Sequence, residues 1–177
     1  SWLRPFFEAT ARGMATERVS PGPGPRALSI ATANAPATGV TVGVPICYEL
    51  LFPDLTRRFV SDGAVMLLAI TNDAWYGRTG APYQFLAMTA VRSAETGVWT
   101  ARAANTGVSA IIESQGRVRS RTRIFERVPL VGDLPLRASP PGGTFYARHG
   151  DIFAYGCWMA IAALALRSVA RKAKEKQ

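Results

Sequence analysis

Apolar positions along the chain fall into short continuous runs separated by helix-spaced segments, and this alternation predicts an α/β layered domain. TGVTVGVPIC, residues 38 to 47, alternates valine with small residues and reads as a buried strand. Pro53 and Asp54 suit the first turn of a helix, where a missing N–H costs nothing and a carboxylate meets the positive end of the dipole. That helix would run through DLTRRFVS to a stop near Gly63. AVMLLAITND, residues 64 to 73, is a continuous apolar run bounded by polar residues, as expected of a strand covered on both faces. YQFLAMTAVRSAET, residues 83 to 96, predicts a helix with Phe85, Met88, Val91 and Ala94 on one stripe and Gly97 as its stop. VWTARAANTG and VSAIIESQGRVRSRTR follow as strands, the second folded at Ser114-Gln115-Gly116.

The two ends differ from this middle. Residues 1 to 20 read as a short helical or irregular segment, followed by PGPGP, a loop because proline fixes φ and lacks a donor. At the other end, Ile152 to Leu166 holds fifteen residues without a charge, followed by RSVARKAKEKQ. A bilayer crossing takes about 20 apolar residues; the small residues 168 to 170, with Arg167 snorkelling, bring the span close to that length. Phe153, Tyr155 and Trp158 lie toward one end and the basic cluster at the other, an order that puts the tail in the cytoplasm and the preceding domain outside it. The alternative is a buried core helix ending in a solvated tail. The expected division is a domain over 1–150, a transmembrane helix over 151–170 and a basic tail over 171–177.

Composition narrows the classes. A chain of 177 residues, 48% hydrophobic, holds one core-forming domain and is not disordered. The net charge of +9 favours an anionic partner, but no aromatic-interleaved basic patch supports nucleic-acid binding. The only lysines are Lys172, Lys174 and Lys176; every other basic residue apart from the lone histidine is arginine. Two distant cysteines, Cys47 and Cys157, imply neither a disulfide framework nor a metal site, and no cofactor is expected. The chain starts with serine rather than methionine and is read as cut from something longer.

Cys47 ends a strand just ahead of a helix, the edge at which α/β sheets expose functional atoms. Thiolate is the reactive form of cysteine, and a helix N-terminus or a cation favours it. Glu49 is placed to hydrogen-bond a neighbouring catalytic group or a substrate amine. The plainer alternative is a packed thiol beside a solvated carboxylate. In RVRSRTR, arginines 117, 119, 121 and 123 recur at period two, which would put all four on one strand face, either for lipid phosphates or simply in solvent. His149 is read as a structural or interfacial residue before the last helix.

GVPICYELLFPDLTRRFVSDGAVMLLAITNDAWYG resembles the nucleophile region of the nitrilase superfamily. ICYE, TNDAWYG, PYQFLAMTAVRSAETG, RAANTGVSAII and TFYARHGD, in that order, resemble one branch of it, the apolipoprotein N-acyltransferases. The resemblance implies part of an α-β-β-α sandwich followed by a transmembrane helix. It implies Cys47 as the nucleophile that takes an acyl chain from a phospholipid as a thioester. Tyr48 would supply an oxyanion-hole N–H, Glu49 would support the site, and Trp75 and Tyr76 would line the acyl-chain entrance unless they are core packing. The implied partners are a phospholipid donor, a diacylglyceryl apolipoprotein acceptor and the membrane.

The family also uses a glutamate base and a lysine, both upstream of the cysteine. Before Cys47 this chain has no lysine, and its only acidic residues are Glu8 and Glu17; Arg4, Arg12, Arg18 and Arg26 lack the family's context. The expectation is a C-terminal piece, inactive alone and exposing an apolar sheet face. A soluble carbon–nitrogen hydrolase and a non-catalytic membrane-anchored module are the alternatives.

Overall fold

The structure, a computed structural model, describes residues 22–31, 39–135 and 143–174. The expected N-terminal segment, with Glu8, Glu17, Arg4, Arg12 and Arg18, lies outside them, as do the last three residues. Six strands form one sheet in chain order: β1 (Leu28–Ile30), β2 (Val40–Gly43), β3 (Met66–Asn72), β4 (Trp99–Asn105), β5 (Ala110–Ile112) and β6 (Val118–Arg121). The middle of the sheet, β2-β3-β4, is parallel, and the outer pairings are antiparallel. The parallel pairs are crossed over by α1 (Pro53–Ser61) and α2 (Ala81–Thr96). A short α3 (Phe145–His149) and a long α4 (Ile152–Lys174) close the order. This is a nitrilase-like α/β fold with a mixed sheet.

Helices α1 to α3 cover one face. Phe59 and Val60 of α1 meet Leu67 of β3, Val98 and Ala147 of α3, while Leu86 of α2 meets Val108, Ala110 and Ile112. The α1–sheet approach is close because Gly43 has no side chain: a Cβ there would stand 2.6 Å from Phe59 Cβ. Gly43→Ala is therefore expected to lower stability by about 1–3 kcal/mol, the cost of overpacking, read as a fall in the urea midpoint. The other face carries Val40, Val42 and Met66, with Leu68 and Leu134 against them. There the segment 128–134 borders an apolar groove of about 500 Å³ lined by Leu68, Ile70, Ala101, Ala103, Ile111 and Val131.

Three expectations need correction. The stripe of α2 that faces the sheet is Phe85, Leu86, Thr89, Arg92, Ser93 and Thr96, whereas Met88, Val91 and Ala94 face outward. The polar members are accommodated because each is bonded: Thr89 Oγ1 donates to Phe85 O (2.8 Å), Ser93 and Thr100 hydroxyls pair at 2.7 Å, and Thr96 Oγ1 donates to Arg92 O (2.7 Å). The arginines of RVRSRTR do not share one strand face. Arg121 stands opposite Ala110 and Ser120 opposite Ile111, but Val118 stands opposite Ile112, so Arg119 is the extra residue of a bulge. Arg117 and Arg119 both reach back to Glu113, at 3.8 and 3.3 Å. Lastly, Cys47 is not the end of a strand. Strand β2 stops at Gly43, a single bridge joins Ile46 to Ile70, and Cys47 opens a 3₁₀ turn.

The last two helices are joined to the domain at α3. Thr144 Oγ1 accepts from Ala147 N (3.1 Å) and donates to Glu95 O, and Ser61 Oγ donates to Ala147 O (2.9 Å). His149 stacks on Phe145 and bonds its carbonyl, a local structural position. α4 leaves the domain with Phe153, Tyr155, Trp158, Met159, Ile161 and Leu164 all exposed. Among the described residues no helix is long and apolar enough to cross a membrane. The uncharged run from Ile152 to Leu166 rises only about 22 Å, against a hydrocarbon core of about 30 Å.

Candidate active site

The carboxyl ends of three parallel strands meet at one edge of the sheet. After β2 comes the turn Cys47–Leu51, after β3 the turn Ala74–Tyr76, and after β4 the loop through Thr106 and Gly107. Backbone bonds tie these segments together. Ile70 N–H donates to Pro45 O (3.2 Å), Asp73 N–H to Asn105 O (3.1 Å), and Asn105 Nδ2 to Asn72 Oδ1 (2.9 Å).

Cys47 lies half-buried with φ +52°, a left-handed conformation that costs a side-chain-bearing residue about 1–2 kcal/mol. Such strain persists only where the surroundings hold it. Glu49 is one holder: its Oε2 accepts from Ile46 N–H (2.7 Å) while its own N–H donates to Ile46 O (3.0 Å). Glu49 thus closes the turn through the Ile46 backbone. Arg92 is the other holder. Its Nε donates to Leu50 O (3.1 Å) at the far end of the turn, and its NH1 pairs with Glu95. Burial raises the Glu95 pKa, and the Arg92 charge opposes that shift.

The aromatic residues divide between two settings. Trp75 is 73% exposed, so it is not core packing. Tyr76 packs on Phe85 (ring centroids 5.3 Å apart), as does Tyr48 at 5.5 Å in an edge-on arrangement. The Tyr76 hydroxyl donates to the Tyr48 hydroxyl at 2.5 Å, so the residue after Cys47 is joined to the neighbouring turn. Partial burial first, then the Tyr48 bond and the nearby Cys47 and Asp73 charges, push the Tyr76 pKa well above the usual tyrosine value. Burial and the charges of Glu95 and Asp151 also raise Tyr146.

A folded-state pKa above the unfolded one means that the stability contributed by Tyr76 is complete below the unfolded value of about 10. It is lost as pH rises beyond that. Of five tyrosines, Tyr76 and Tyr146 are therefore expected to ionise last in an ultraviolet tyrosinate titration. Tyr76→Phe should remove one of the late steps; five tyrosines ionising together would contradict this.

Beneath the Ala74–Tyr76 turn lies a pair that sequence reasoning missed. Asp73 Oδ2 accepts from Arg102 NH2 at 2.9 Å, and both side chains are fully buried. Arg102 also donates to Val108 O (3.2 Å) and Thr89 Oγ1 (3.1 Å), and Thr71 Oγ1 donates to Asp73 Oδ1 (3.0 Å). Burial lowers the Arg102 pKa, and Asp73 opposes the shift. The signal in the sequence was an arginine amid small apolar residues in a covered strand, a charge that has to be paired. Among the described residues no cluster of histidine, cysteine, aspartate and glutamate could hold a metal ion.

The edge therefore presents a strained cysteine on a bonded turn, at the carboxyl ends of the parallel strands, where α/β sheets expose functional atoms. The chain belongs to the carbon–nitrogen hydrolase family, whose model matches residues 3–137. Its curated relatives include the apolipoprotein N-acyltransferase of Geobacter metallireducens, 42% identical over 136 residues, covering 77% of this chain and 26% of the relative. Another is the apolipoprotein N-acyltransferase of Chlorobaculum tepidum, 37% identical over 127 residues, covering 72% and 23%. The chain thus spans about a quarter of the length of these relatives. Among solved structures, the fold is similar to an amidase from Nesterenkonia sp. AN1, captured with acrylamide added to its active-site cysteine. The TM-score is 0.53 and the identity 22%, covering 79% of this chain and 51% of the amidase.

Proposed function

We propose that this chain is the nucleophile-bearing part of an N-acyltransferase that moves a fatty acyl chain from a phospholipid to the α-amine of a diacylglyceryl-cysteine at an apolipoprotein N-terminus. The observation that carries the reading is Cys47, held strained at the sheet edge, in a chain whose curated relatives have that activity in their names. The thiolate attacks the ester carbonyl of the donor, the thioester forms and lysophospholipid leaves. The acceptor amine then attacks the thioester, releasing the thiolate. Cys47 and Tyr48 contribute the first N–H groups of their turn, which have no acceptor within it; the Tyr48 N–H is assigned to the oxyanion. Trp75 and Tyr76 flank the acyl-chain path.

α4 enters the bilayer, with the domain on the outer side of a bacterial inner membrane and the basic tail in the cytoplasm. Its support is the run of exposed apolar side chains from Ile152 to Leu166, which water does not favour. By itself the chain transfers no acyl group, because the family's glutamate and lysine precede the cysteine and no lysine precedes Lys172.

The test combines labelled phospholipid with a diacylglyceryl-cysteine peptide. The product of the whole coding sequence that carries these residues is expected to label the peptide, and the 177 residues alone are not. Labelling of water-released fatty acid only would favour the hydrolase alternative. In detergent phase separation the chain is expected in the detergent layer, and a chain ending at Asp151 in the aqueous layer.

A further inference from the structure

We infer that Asp73 and Arg102 are positioning residues for Cys47, acting through Tyr76 and Tyr48. The inference rests on the reading of Cys47 as the reacting group and adds the device that sets its surroundings.

The connection can be followed bond by bond. Arg102 is fixed within the domain by three acceptors: Val108 O, Thr89 Oγ1 and Asp73 Oδ2. Asp73 is fixed in turn by Arg102 and Thr71, and its N–H donates to Asn105 O. Gly107 presses on the same carboxylate so closely that any Cβ there would collide with it. Asp73 is also the residue from which the Ala74–Tyr76 turn springs, and Tyr76 N–H donates back to Asp73 O at 3.1 Å. The turn is thus rooted in a rigid, buried ion pair, while its outer part is open, with Trp75 largely exposed. From that root the Tyr76 hydroxyl reaches Tyr48, the covalent neighbour of Cys47. A buried charge pair is a costly way to stabilise a fold, but it holds one geometry well. Here the geometry held is that of the wall beside the cysteine.

The test reads alkylation of Cys47 by iodoacetamide in the complete chain in mild detergent, by peptide mass spectrometry. Cys157, on α4 and away from the substituted residues, serves as the internal reference. Tyr76→Phe removes one hydroxyl and is expected to raise the Cys47-to-Cys157 rate ratio about fivefold, the weight of one net hydrogen bond. Asp73→Asn should raise it at least as far. The double variant should go no further than Asp73→Asn alone, because both act along one connection. Should Asp73→Asn fail to fold, Thr71→Val, which keeps the ion pair and removes only one bond to Asp73, is expected to shift the ratio the same way. An unchanged ratio in Tyr76→Phe would overturn the inference, as would effects of Asp73→Asn and Tyr76→Phe that simply multiply. Because the readout is alkylation and not acyl transfer, the inference can fail while the proposed function stands, and the reverse.

Discussion

Cys47→Ser is expected to abolish acyl transfer by the whole coding-sequence product, by roughly a thousandfold or more, with little change in folding. The substitution keeps the shape of the side chain and the turn that Glu49 and Arg92 hold. It replaces a thiol with a hydroxyl, a far weaker nucleophile unless a base activates it. His149, the chain's one histidine, is occupied with Phe145. Retention of more than a few per cent of transfer in the serine variant would show that the acyl group is not carried on this side chain.

Asp73→Leu is expected to cost about 3–5 kcal/mol, a large share of the stability of a domain this size. The carboxylate takes a bond from Arg102 inside a fully buried setting, and removing it leaves a guanidinium charge that water cannot reach. Pairing Asp73→Leu with Arg102→Leu removes both charges and should recover much of the loss. The two urea midpoints check this together: a single variant as damaged as the double, or less, would mean that the Arg102 charge finds another partner.

Much of the fold was legible because its signals are local. Proline and aspartate at 53 and 54 mark the start of α1, glycine at 97 ends α2 in a left-handed conformation, and the apolar run after Ala64 becomes β3. The neighbourhood of the candidate site followed from the order of apolar run, cysteine and helix, although the strand itself stops at Gly43. What was not legible depends on partners distant in sequence. The buried stripe of α2 is polar because Ser93 faces Thr100 and Thr89 faces Arg102, so counting apolar residues chose Met88 and Val91, which face outward. Asp73 meets Arg102 because β3 and β4 lie side by side, with Asn72 level with Asn105. The bulge at Arg119 breaks an alternation that the sequence displays without interruption. Glu49 was marked as a supporting carboxylate, yet its bond to Ile46 N–H depends on a turn that no periodicity describes.

The most direct test of the account is the mass of the Cys47 peptide after the whole coding-sequence product has met phospholipid without an acceptor. The account predicts an added fatty acyl group on Cys47, released by hydroxylamine and lost on addition of the diacylglyceryl-cysteine peptide. An acyl group on another residue, or transfer that proceeds with Cys47 never acylated, would contradict it.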